Sequence, residues 1–151
     1  MPDDTYGPKV YHKQQGDELV VASGGKITQE AAGSLVQPLA IKTASYTVLA
    51  SESGTVFVAV AADLVFTLPA TAAGLRYTFA LGPAGLSAGA GLSISPAAAD
   101  AIHGNGLTSV DNKDLINTGA TDREGDMVEL VADGVDGWFI VSVNGTWAKE
   151  A

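Results

Sequence analysis

The side chains able to do acid–base or metal chemistry are few in this chain of 151 residues, which has no cysteine and only two histidines, His12 and His103. Neither histidine has a second histidine or an acidic residue at a spacing that metal coordination uses, so no metal site is expected. His103 stands in a glycine-rich turn and reads as a structural or interface histidine. The acidic group Asp122, Glu124 and Asp126 is superficially like a calcium loop, but it lacks the twelve-residue ligand pattern and its terminal glutamate. It reads as a solvated turn. No G-x-S-x-G, Walker or dinucleotide signature occurs, and Gly104-Asn105-Gly106 lacks both the remaining glycine and a following helix. Any two carboxylates could meet in space for glycoside hydrolysis, yet the scarcity of Arg, His and polar aromatic clefts speaks against it. The expectation is a chain that is not an enzyme, with no catalytic residue, no cofactor and no metal.

What the sequence does specify is strands. The stretch Gly125 to Trp147 reads as strand, turn, strand, turn, short strand. Met127, Val128, Leu130 and Val131 form one run, and the β-branched and aromatic residues Trp138 to Val143 form a second. Asp133-Gly134 and Asp136-Gly137 lie between the runs and Asn144-Gly145 follows, pairs that turn the chain sharply. Trp138 and Ile140 then share one side of the sheet and Phe139 and Val141 the other. An apolar run on both faces predicts a strand covered on both sides, in a sandwich or in a sheet buried in an oligomer.

Along the rest of the chain, residues 1–15 read as an extended N-terminal arm whose large apolar anchors are Tyr6, Val10 and Tyr11. These three are the candidate contacts to a capsid or to a sister subunit. Residues 16–38 form a glycine-punctuated β/loop segment, with a glycine-led apolar step recurring at Gly16, Gly25 and Gly33. Residues 39–151 form the β-sandwich domain. Strands are expected at Leu39–Thr43, Ser45–Leu49, Gly54–Val60 and Leu64–Leu68, with Pro69 ending ladder pairing. Leu75, Tyr77, Phe79 and Leu81 alternate cleanly and predict a core face, and Pro96–Asp100 could make one helical turn. Strand-like runs at roughly ten-residue spacing argue an all-β fold, a β-sandwich or jelly roll.

Composition narrows the function classes. Charged residues make up 17% of the chain, against about 25% in typical globular domains. Gly, Ala, Ser and Thr take their place. A formal charge of −9 would repel a phosphate backbone, so direct nucleic-acid binding is not expected. The N-terminus lacks the basic and apolar regions of a signal peptide, and no stretch reaches the length of a membrane span. The expectation is a soluble protein made in a cytoplasm, with no membrane partner.

Val10 to Ile27, with Gly104-Asn-Gly106, Leu115-Ile-Asn-Thr-Gly-Ala-Thr121, Gly125-Asp-Met-Val-Glu-Leu130, Gly137-Trp138 and Asn144-Gly-Thr-Trp147, resembles head decoration, or cement, proteins of tailed bacteriophages. The likeness is one of style over most of the chain and includes no catalytic motif. It implies a β-rich protein, commonly trimeric, that sits on the outer surface of the virion and clamps neighbouring major capsid protein subunits. Its partners would be the capsid and two further copies of itself. Similar phrasing occurs in phage fibre and tail-spike modules, which gives an alternative reading as a carbohydrate-binding module with Trp138 or Trp147 as a stacking platform.

Overall fold

The computed structural model describes residues 10–12, 19–21, 37–83, 91–117 and 119–151, the first two segments by their backbone alone. Two units are present, Met1–Val36 and Gln37–Ala151. In the first, β1 (Val10–His12) pairs antiparallel with β2 (Leu19–Val21), with Tyr11 opposite Val20. Val10 and Tyr11, expected on the arm, therefore have strand backbone. Their side chains and the whole of Tyr6 lie outside the described residues.

The second unit contains β3 (Leu39–Lys42), β4 (Tyr46–Thr47), β5 (Val56–Ala59), β6 (Leu64–Thr67), β7 (Arg76–Leu81), β8 (Leu92–Ser95), β9 (Ala101–His103), β10 (Leu115–Asn117), β11 (Met127–Ala132), β12 (Gly137–Asn144) and β13 (Trp147–Lys149). One turn of 3₁₀ helix at Ala50–Glu52 interrupts them. Among the described residues no helix is long and apolar enough to cross a membrane. The Pro96–Asp100 stretch makes a turn without helix.

The strands form two mixed sheets, one ordered β13-β10-β8-β6-β4 and the other β3-β5-β7-β11-β12-β9. From β3 to β11 successive strands alternate between the sheets, so strands two apart in sequence become neighbours. Those neighbours run parallel: β3, β5 and β7 in one sheet, β4, β6 and β8 in the other. A parallel pair cannot be closed by a tight hairpin and needs a crossover, and here the crossover is a strand of the opposite sheet. This departs from the jelly roll expected from the sequence, which pairs antiparallel. Antiparallel pairing enters only with β7–β11, β11–β12, β8–β10 and β10–β13.

Alternation within each strand sends one set of side chains into a single buried cluster shared by both sheets. Tyr77, Phe79 and Leu81 enter it, as their spacing predicts. Phe79 stacks on Phe57 of the neighbouring strand, with centroids 5.6 Å apart, and meets Phe66 of the opposite sheet at 5.1 Å. Burying each such ring contributes about 1.5–3 kcal/mol, so the aromatic group is the main apolar link between the layers.

The β11–β12 hairpin forms where the Asp-Gly pairs lie. Asp133 Oδ1 accepts the backbone N–H groups of Val135, Asp136 and Gly137. Those three bonds, the Val135 N–H first, pull the Asp133 carboxyl from its ordinary 3.8 down to about 2. Gly137 is needed for a second reason: a Cβ there would stand 2.0 Å from the Ala101 carbonyl oxygen. Only glycine lets β9 lie parallel against the start of β12.

Candidate interaction surface

The outer face of the six-stranded sheet is the surface that the fold leaves undressed. On β11, Val128, Leu130 and Ala132 are buried, so Met127, Glu129 and Val131 point the other way. Register carries that outward set across the sheet. Val131 pairs with Arg76 and Phe139, Glu129 with Thr78, and Met127 with Ala80. Thr78 and Ala80 pair in turn with Val56 and Val58, which pair with Leu39 and Ile41. At the other edge Phe139 pairs with His103.

These outward positions are mostly apolar. Leu39 is 62% exposed, Ile41 63% and Phe139 48%. The second apolar face of β12, expected to be covered, is open to solvent in the single chain. Trp138, at 0% exposed, and Ile140 face the shared cluster. A bulge between Glu129 and Leu130 leaves Val141 as the extra residue of β12, and it is 53% exposed. A bulge re-aims the strand that carries it, which ends the simple alternation predicted for Trp138 to Val143.

The charges among the outward positions cancel. Arg76 Nε donates to Glu129 Oε1 from the adjacent strand. The hydrogen bond from Arg76 to the Glu129 carboxylate, and the attraction between their charges, hold the guanidinium above its ordinary pKa.

At the β9 edge, His103 lies flat against Phe139, ring centroids 5.1 Å apart. Its Nδ1 shares a hydrogen bond of 2.7 Å with Ser109 Oγ, and its Nε2 sits 3.6 Å from Asp136 Oδ2. The sequence of groups is like a nucleophile, base and orienting acid. Asp136 is 67% exposed and too distant to fix the ring by a hydrogen bond. The group therefore works as a clasp that ties β9 and the loop after it to β12, the structural or interface role that the turn position of His103 suggests.

The two tryptophans cannot serve as sugar platforms. Trp138 is fully buried against Tyr77, and Trp147 is 5% exposed with its indole N–H donated to the Asn144 carbonyl. A sugar stacks on an exposed ring face, and neither ring offers one.

The solvated turn expected at Asp122–Asp126 also needs correction. Glu124 is exposed, but Asp126 is 4% exposed, and its carboxylate accepts from Asn117 Nδ2 and the Arg123 N–H. Asn117 is itself fully buried and also donates to the Thr146 carbonyl. This polar knot joins β10 of one sheet to the turn before β11 of the other. Among the described residues no group of three or more His, Cys, Asp or Glu could hold a metal ion. A recess with Asp63 and Ser93 as its polar side chains opens on the outside of the five-stranded sheet, between Val65 and Ile116.

No family model matches this sequence, and no curated protein matches it.

Proposed function

We propose that this chain is a structural virion protein, a decoration or cement protein. It binds the outer surface of a phage head and stabilises neighbouring major capsid subunits. The observation that carries the reading is the broad, apolar and charge-neutral outer face of the six-stranded sheet. An open apolar surface of this kind suits protein–protein contact, whereas turnover of a small molecule calls for a concave site with converging polar groups. The resemblance of the sequence to phage head decoration proteins supplies the location.

In this reading the body is a rigid two-layer β-sandwich, and three copies assemble so that individually weak capsid contacts add through avidity. Tyr6, Val10 and Tyr11 of the N-terminal segment reach the shell, since aromatic anchors dominate many interfaces. Co-sedimentation with expanded heads, run beside a glycan array, tests the proposal. Binding to heads with a blank array is the expected result; glycan binding without head binding would overturn it.

A further inference from the structure

We propose that the outer face of the six-stranded sheet is where a second copy of this chain docks. The inference rests on the reading of the chain as an assembly protein and names the surface that assembles it.

Charge selects the occupant. Residues 37–151 carry twelve carboxylates against five Lys and Arg, so two copies repel over most of their surface. The outward positions of the six-stranded sheet are the exception. Their charged groups are Arg76 and Glu129, already paired with each other. A basic partner would be drawn to the acidic remainder of the molecule, whereas a like-charged copy can approach where the surface is neutral.

Size is consistent with this. Six strands about 4.8 Å apart and about 20 Å long present roughly 500 Å². Two such faces together come to about 1,000 Å², where specific interfaces begin.

The face is also self-complementary. Rotation by half a turn about an axis parallel to the strands, between β7 and β11, lays β7 over the partner copy's β11. Arg76 and Glu129 of one copy then lie opposite the same pair in reverse order. The same rotation sets the Leu39 and Ile41 edge over the opposite edge of the other copy, where Phe139 lies. Two sheets meeting this way stand about 10 Å apart, the spacing of packed sheet faces.

The test is the mass of the full chain in solution at micromolar concentration for wild type, for the double variant Ile41→Asp/Phe139→Asp, and for Thr67→Asp on the exposed side of the other sheet. Wild type and Thr67→Asp are expected at two or more chains, and the double variant at one chain with its β-sheet circular dichroism retained. A monomeric wild type, or a double variant at wild-type mass, overturns the proposal. Should the double variant fail to fold, Leu39→Cys in this cysteine-free chain carries a spin label. Interchain spin–spin coupling supports the docking, and its absence overturns it. A wild-type monomer that still coats heads would sink this docking and leave the decoration role standing. Self-association through this face without head binding would do the reverse.

Discussion

Gly145 is packed against Asp126 so closely that a Cβ on the glycine would lie 2.3 Å from Asp126 Cγ. The carboxylate cannot swing away, because it is buried and already accepts from Asn117 and the Arg123 N–H. Gly145 also has φ of 92°, where a side chain is strained. Gly145→Ala should therefore cost about 2–4 kcal/mol from overlap and backbone strain together. Urea unfolding measures it, and a change below about 0.5 kcal/mol, the range of ordinary surface substitutions, would mean that the knot is loose.

Acid should weaken the β11–β12 hairpin over a defined range. Asp133 is held near pH 2 in the folded chain by three backbone N–H donors, against an ordinary value of 3.8. A lowered folded pKa gives stability that is complete above the ordinary value and is lost as pH falls toward the folded one. Asp133→Asn keeps an acceptor oxygen and loses the titration. The difference in melting temperature between wild type and Asp133→Asn should shrink as pH falls from above 4 toward 2. A constant difference would assign the acid sensitivity elsewhere.

Phe57 meets Tyr46, Phe66, Tyr77 and Phe79. Phe57→Ala should cost about 3–5 kcal/mol, since the ring is lost and the close-packed surroundings only partly collapse. Denaturant unfolding with an unchanged slope would assign the loss to the folded state.

Some of this was legible in the residues themselves. The alternation from Leu75 to Leu81 and the Asp-Gly turns of the last hairpin are local signals, and local chemistry decides them. The parallel winding was not legible, because nothing near β3 says that its neighbour will be β5 and not β4. The choice is made by Phe57 and Phe66, which bury together only when consecutive strands go to opposite sheets. Asp126 looked like a surface acid because the Asn117 and Gly145 that enclose it lie on other strands. His103 and Asp136 meet only through the β9–β12 pairing, which no spacing rule describes.

Deleting residues 1–15 should leave the body folded, because the residues of the buried cluster run from Val48 to Trp147. A melting temperature unchanged within error together with a sharp fall in head binding is the expected pair. A lower melting temperature with release of monomers would place the segment on a sister subunit instead.

Head binding itself is the most direct measurement. The full chain is mixed with expanded heads of its phage, sedimented, and the heads are then heated. The account predicts saturable coating at a fixed ratio to the major capsid subunit and disruption of the coated heads at a higher temperature than bare ones. Heads that sediment without the chain and break at the same temperature with or without it would contradict the account.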